Sequence, residues 1–272
     1  MNLNFADFLD NLCDNLLINT IVYIFMLVLG FFIQRLLITI QNYKFKMTVK
    51  FPTIDENEFK CFTANPDCYV TDEHVRLGYV FEYMAVGEIE HYFKKIYKKA
   101  KFSTMMSPIT FAKIREKYLR TNLIIIGGPI HNQVAKKLLE KKEIPFQFDS
   151  DSNLLFLKNG VVNKKYIPEK TAVEGCDYFQ KDYALIINAK NPWDNSKRII
   201  ALMGCRSLGC YGASLFLCNE IYKCKNSSRI RDDEYALVVS CYGEEENITS
   251  NPELVGYYQL HTKNLKTKTR FE

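Results

Sequence analysis

Three features of the sequence predict an α/β fold. Short apolar runs end in glycine turns, amphipathic helical patterns alternate with those runs, and one long apolar segment lies near the N-terminus. The arrangement they predict is a Rossmann-like, mostly parallel sheet with an inserted hairpin, preceded by one N-terminal transmembrane helix. The stretch that organises the rest is Arg198 to Leu217, RIIALMGCRSLGCYGASLFL. It reads as a strand, Ile199 to Met203, then a loop carrying Gly204, Gly209 and Gly212, then a helix from Ala213. Strand, glycine loop and helix is the local architecture that cradles phosphates, because glycines admit a ligand to backbone N–H groups and a helix N-terminus carries partial positive charge.

The apolar segment sets the domain plan. Leu16 to Ile40 is interrupted only by Asn19, Thr20, Gln34 and Arg35, apart from Gly30, Thr39 and its apolar neighbours. At about 1.5 Å per helical residue it is long enough for a hydrocarbon core of about 30 Å. A cleaved signal peptide is disfavoured, since no Lys or Arg precedes the run and no small-residue cleavage site follows it. Asp7, Asp10 and Asp14 lie before it, and Arg35, Lys44, Lys46 and Lys50 on its far side. The excess of positive residues on that side predicts a single-pass protein of the cell membrane, N-terminus outside and C-terminal domain cytoplasmic. Arg35 is expected to snorkel to the inner interface. The expected organisation is residues 1–15 extracytoplasmic, 16–42 transmembrane, 43–66 connector, 67–262 a cytoplasmic Rossmann-like domain and 263–272 a basic tail, with membrane lipid as one partner.

Composition narrows the class. With 272 residues, 47% of them hydrophobic, the chain can bury a core of one or two domains. The net charge of +5 is modest and no aromatic-plus-basic pattern argues for nucleic acid. Nine cysteines without a C-x-x-C pair fit unbridged thiols in a reducing compartment and predict no metal site.

Within the soluble part, Cys68 to Thr71 is read as a first strand ending at Asp72, a residue that either caps the following helix or faces a ligand. Glu73 to Ala100 has helical spacing, with Gly87 a point of division, and Pro108 to Arg120 reads as another helix with proline in its first turn. Leu123 to Ile126 is a continuous apolar run, the mark of a strand covered on both faces. It enters Gly127-Gly128-Pro129 and a helix from Asn132 to Lys142. Pro145 to Asp149 is a short strand, and Asn153 to Tyr166 alternates around Asn159-Gly160 as a hairpin. Tyr183 to Ala189 and Arg198 to Met203 are strands joined by a turn-rich linker, Lys190 to Ser196, which holds the one tryptophan, Trp193. Tyr235 to Tyr242 and Val255 to His261 complete the set.

Ligands of open parallel sheets bind beyond the carboxyl ends of the strands. The candidate binding residues are therefore Gly127, Gly128 and Asn132 from one turn, Gly204, Arg206, Ser207, Gly209 and Gly212 from the other, and Asp72. Arg206 is suited to clamp an anion and Asn132 to donate to a phosphate or ribose oxygen. For each loop the competing reading is a tight turn that lets helix and strand pack closely. Neither loop contains G-K-[ST] or G-x-G-x-x-G. Two catalytic alternatives stay open. His131 with Cys205 or Cys210 at adjacent strand ends has the layout of a caspase-like hydrolase. A carboxylate such as Asp72, Asp149 or Asp194 above a nucleotide pocket would serve deoxyribosyltransferase-type chemistry. A membrane-tethered interaction domain without a ligand is the third class.

LIIIGGPIHN followed by YALIINAKNPWDNSKRIIALMGCRSLGCYGA resembles the Rossmann-like sensor domains of prokaryotic conflict and defence proteins, which are often fused to a short transmembrane module. The resemblance spans about Asp67 to His261 and is carried by Gly127, Gly128, Asn132, Asn191, Pro192, Gly204, Gly209 and Gly212. It implies a cytoplasmic domain that binds a nucleotide or cyclic nucleotide ligand and alters its membrane helix, in a homo-oligomeric effector of antiviral defence. The SLOG-type pattern continues with more glycines and an acidic residue after its first G-G, where this chain has Pro129-Ile130-His131.

Overall fold

The structure is a computed structural model that describes residues 5–49, 58–63, 74–97, 101–107, 111–142, 144–158, 160–173, 176–221, 234–244, 247–248 and 252–260. The chain divides into two compact units, residues 1–47 and 48–272. Asp72, the expected strand Cys68–Thr71 and the basic tail lie outside the described residues.

The first unit is helical. A single helix, α1, runs Phe5–Val49, seven residues past the expected end of the transmembrane segment. Its apolar part is long enough to cross a membrane. From Ile18 to Ile40 every side chain is exposed except half-buried Ile38, and the apolar residues ring the helix on all sides. A helix apolar all round belongs in a core or in lipid. Two of its hydroxyls are satisfied internally: Thr20 Oγ1 donates to Leu16 O at 2.8 Å and Thr39 Oγ1 to Arg35 O at 2.9 Å. Such back-bonding pairs these two donors within the helix. The Arg35 guanidinium lies over the Phe31 ring, 5.2 Å from its centroid.

The second unit is α/β, but its sheet is mixed and not mostly parallel. Its strands are β1 (Glu58–Thr63), β2 (Lys101–Met106), β3 (Asn122–Ile126), β4 (Phe146–Phe148), β5 (Leu154–Lys158), β6 (Val161–Tyr166), β7 (Glu169–Val173), β8 (Cys176–Asn191), β9 (Asp194–Gly204), β10 (Tyr235–Glu244), β11 (Asn247–Ile248) and β12 (Glu253–Gln259). The main path is β2-β1-β3-β9-β8-β10-β11, with β12 also paired to β10 and β7 to β8. The four strands from β2 to β9 are parallel. From β9 onward every pairing is antiparallel. The switch follows from one turn. Asn191 to Asp194 closes a tight hairpin at Pro192-Trp193, so β8 and β9 are sequence neighbours laid side by side. Asn191 builds that turn: its Oδ1 accepts from Trp193 N at 2.8 Å, and its Nδ2 donates to Leu119 O and Thr121 O at 2.6 and 2.7 Å.

Two further corrections concern the edge of the parallel half. Glu58–Thr63, expected as connector, is a paired strand with Phe59, Cys61 and Phe62 buried. Lys101–Met106, expected to lie between helices, is the edge strand β2, only partly covered, so its apolar signal is weak. The helix expected at Pro108–Arg120 is reduced to a turn at Phe111–Lys113 and one helical turn, α3 (Glu116–Leu119), with residues 108–110 undescribed.

Helices cover both faces. α2 (His74–Ile96), undivided at Gly87, packs on α5 (Ser207–Leu215), and α5 lies against β8, β9 and β10. On the other face α4 (Gln133–Lys142) and the three-stranded sheet β4-β5-β6 share one core with alternate residues of the main sheet, including Leu123, Ile125, Leu185, Ile187, Ala201 and Met203. With both faces covered, β3 reads as five consecutive buried residues. β5 and β6 form the expected hairpin, and Gly160, at φ 78°, supplies the left-handed backbone its turn needs.

Candidate functional site

The topology brings the two glycine turns together. β3 and β9 are adjacent and parallel, so Gly127-Gly128 and Gly204 leave the sheet at the same end. Gly127, at φ 112°, donates its N–H to Leu202 O at 3.0 Å, and a Cβ on Gly128 would lie 3.0 Å from Gly204 O. The two turns are in contact, and side chains at these positions would force them apart.

The second loop is not a loop. α5 starts at Ser207, not at Ala213, and Gly209 and Gly212 are helical residues. They are small because the helix presses on the antiparallel half of the sheet. A Cβ at Gly209 would meet Tyr183 O at 2.5 Å, and one at Gly212 would meet Cys241 Cβ and Sγ at 2.6 Å. Gly204 is closed in too: its Cβ would lie 2.1 Å from Arg206 O and 2.6 Å from Cys210 N.

The N-terminus of α5 is already occupied by an anion of the protein itself. Asp182 Oδ2 accepts from Arg206 N at 3.0 Å and Gly209 N at 2.5 Å, and Oδ1 accepts from Tyr183 N at 2.8 Å. This is the arrangement a bound phosphate would take at a helix N-terminus. Asp182 is fully buried. Burial pushes its carboxyl up to about 6, against the pull of the three N–H donors and the Arg206 charge. The antiparallel course of β8 puts Asp182 there, since the early residues of β8 lie beside the end of β9, with Ala184 opposite Gly204. Knowing that β8 and β9 form a hairpin would have been enough to find it.

α4 is capped in the same self-contained way. Asn132 Oδ1 accepts from Val134 N and Ala135 N at 3.0 and 3.2 Å, and its Nδ2 donates to Phe62 O and Ile126 O at 3.2 and 3.0 Å. Asn132 is fully buried and its side-chain donors and acceptor are all engaged, so it braces β1 and β3 against α4. Gln133 N donates to buried Ser107 Oγ at 3.0 Å. Of the expected ligand groups, Arg206 and Ser207 remain half-exposed, and Arg206 Nη1 donates to Cys205 O at 3.0 Å.

The catalytic alternatives fare as follows. His131 and Cys205 do follow adjacent parallel strands. Cys205, however, is 4% exposed and belongs to the main core. Burial and the Asp182 charge push its thiol far above the ordinary range, which keeps it protonated. Cys210 is buried and its sulfur accepts from Gly204 N at 3.1 Å, and burial raises its thiol as well. Burial lowers His131, favouring the neutral ring. Asp194 sits at the opposite end of β9, where its Oδ1 accepts from Ser196 N and Oγ. No cluster of three or more His, Cys, Asp or Glu side chains suited to a metal ion occurs among the described residues.

One open groove borders the end of β3. It has a volume of about 750 Å³ and runs between the β3–α4 turn, α4 and β4, with Pro129, Ile130, Lys136, Phe146, Phe148 and Asp149 among its walls. Asp149 is held by Asn153 and by Lys165, whose Nζ is 3.0 Å away. Burial works to raise its carboxyl, but these hydrogen bonds outweigh it and bring it down to about 2. This groove carries no glycine signature, because its walls are ordinary core-edge side chains.

A second polar constellation went unnoticed in the sequence. Asn188 Nδ2 donates to Val49 O and to Tyr235 Oη, both at 2.9 Å, and Tyr235 Oη donates to Thr48 O at 3.2 Å. The Arg198 guanidinium donates twice to Asn188 Oδ1, at 2.7 and 3.3 Å. Thr48 and Val49 are the last residues of α1 and fall within the second unit. Their carbonyls have no helical partner, and the network satisfies them with a positive charge nearby.

No protein-family model matches the chain, and no curated protein matches it.

Proposed function

We propose that this chain is a membrane-anchored sensor or effector. In this reading α1 crosses a membrane with its N-terminus outside. The Rossmann-like unit lies in the cytoplasm, takes a nucleotide-derived ligand and passes its ligand state to α1, in the setting of antiviral defence. The observation that carries the proposal is the buried network from Arg198 through Asn188 and Tyr235 to the carbonyls of Thr48 and Val49. Within the second unit it ties Thr48 and Val49, the last residues of α1, to β8, β9 and β10.

The ligand position differs from the one the glycines point to. The first amides of α4 and α5 are taken by Asn132, Ser107 and Asp182, and a second anion beside buried Asp182 would meet like-charge repulsion. Glu140 and Asp149 line the groove beside the β3–α4 turn as well, but each is paired with a lysine, Lys137 and Lys165. Phe148 offers a ring for a base and Lys136 a cation for a phosphate. The test is a thermal-shift screen of the full chain in detergent against mono-, di- and cyclic nucleotides. A ligand at a hundred times its Kd stabilises by about 2.7 kcal/mol. Lys136→Glu should remove the shift while leaving unliganded melting in place, and Phe148→Ala should remove it with a lower unliganded melting temperature, since that ring packs on the core. No shift with any nucleotide would overturn the reading.

A tethered interaction module is the second reading, favoured by a different surface. Val80, Tyr83 and Met84 on α2 are exposed at i, i+3 and i+4, with Gly87 in open space one turn on. That stripe suits helix packing between copies. It predicts association that Tyr83→Glu abolishes and that no nucleotide alters.

A further inference from the structure

We propose that the β5–β6 hairpin is a membrane-contact element that seats on an anionic bilayer surface; this rests on the membrane anchoring of α1 proposed above. β6 is an edge strand exposed along nearly its whole length. Val161 to Lys165 are all exposed, and only Tyr166 is buried. Alternating residues point to opposite faces of a strand, so both faces of β6 are open to solvent there. The tip side is apolar: Val161 is 69% and Val162 51% exposed.

The charges around this apolar tip have one sign. Lys158 ends β5 directly opposite Val161, and Lys164 lies three residues beyond it, its ammonium 4.9 Å from the Tyr166 ring centroid. Two acidic groups near the base of the hairpin are matched, Asp149 by Lys165 at 3.0 Å and Glu169 by Lys181 at 3.1 Å, and exposed Asp151 lies on the β4–β5 turn, at the end away from the tip. Exposed valines flanked by lysines complement the apolar interface and negative headgroups of a cytoplasmic leaflet. A second copy is the poorer occupant. β6 is the free edge of its sheet, and antiparallel pairing with another β6 along its length would set Lys165 opposite Val162 and Lys164 opposite Asn163, which gathers four lysines on a seam to which neither strand brings an acidic side chain.

The test uses the full chain with Trp193→Phe, which retains a ring to stack on Phe111, and Val162→Trp at an exposed site. The protein is placed in nanodiscs of phosphatidylcholine alone or mixed with phosphatidylglycerol, each with brominated acyl chains as quencher. In the anionic discs the emission should shift to the blue and be quenched, and added salt or Lys158→Glu with Lys164→Glu should reverse both effects. Unquenched emission from disc-bound chain overturns the hairpin contact alone, as does equal quenching in the zwitterionic discs. A blue shift without quenching, growing with the number of chains per disc, overturns it in favour of a second copy. Chain that stays outside the discs overturns the anchoring reading, and this one with it. An unaltered melting curve of the double variant confirms that folding is not at issue.

Discussion

Asp182 is the residue whose chemistry is most out of the ordinary. A carboxylate with three N–H donors would normally titrate low, yet complete burial carries it up to about 6. The folded chain therefore holds this proton more tightly than the unfolded chain, where an aspartate titrates near about 3.9. The sign follows. Stability from this group is fully present below about pH 4 and is lost as pH rises through about 6. The loss is on the order of 3 kcal/mol for a shift of about two units. Asp182→Asn removes the titration. The difference in melting temperature between the original chain and the variant should therefore move against the original chain as pH rises from about 4 to about 6. Thermal unfolding in detergent at a series of pH values measures it, and a difference that grows the other way would refute it. The glycines give a second residue-level prediction, because two of them look alike in sequence and differ in surroundings. Gly212→Ala drives a methyl into Cys241 and should destabilise by about 1–3 kcal/mol. Gly87→Ala meets nothing within 4 Å in the middle of α2 and should stabilise by about 0.5–1 kcal/mol. Melting of the pair decides it, and equal shifts would show that the close contact at Gly212 is not what fixes its identity.

At the scale of elements, the sequence announced what is covered on both faces and what is punctuated by turns. Leu123–Ile126, Ile199–Met203 and the Asn159-Gly160 hairpin were legible because continuous apolar runs and left-handed turn residues are local signals. β1 and β2 were not, since EFKCFT and KFSTMM mix charge with apolar residues at the sheet's edge region, where Lys60 finds the Tyr118 ring 5.6 Å away. The start of α5 was misjudged for a physical reason. Glycine is read as a helix breaker, and here Gly209 and Gly212 are retained because a helix must approach β8 and β10 closely. Asn132 and Asn191 show the same ambiguity: an Asn beside a turn signals a polar function, but both spend their hydrogen bonds on the backbone. The network at the end of α1 was invisible because Val49 and Asn188 lie 139 residues apart. It makes a prediction at this scale. Tyr235→Phe deprives Thr48 O of its donor, with a cost of about 1–3 kcal/mol for a buried group left unpaired. Backbone amide exchange at Thr48 and Val49 should speed up while exchange at Ile124 and Ile200, on the parallel strands, stays slow. Unchanged exchange at the helix end would show that the hydroxyl does not hold it.

For the molecule as a whole, the proposed anchoring raises the question of which side of a membrane the α/β unit faces. The helix itself is symmetric in this respect, since apolar length fixes crossing but not direction. Direction comes from the flanks: three aspartates precede the apolar run, and Lys44, Lys46 and Lys50 follow it. Among the described residues, Cys61, Cys205, Cys210, Cys218 and Cys241 are free and buried. Fused to the C-terminus, a reporter that fluoresces only in the cytoplasm should be active, and one that needs export to acquire its disulfides should be silent. Replacing Lys44, Lys46 and Lys50 with glutamine while placing lysines at Asn2 and Asn4 should invert both signals, because the positive residues, not the soluble unit, would be setting orientation. An active export-dependent reporter on the unaltered chain would reverse the assignment. It would put the β5–β6 hairpin and the groove at β3 on the outer side, where a cytoplasmic nucleotide has no access.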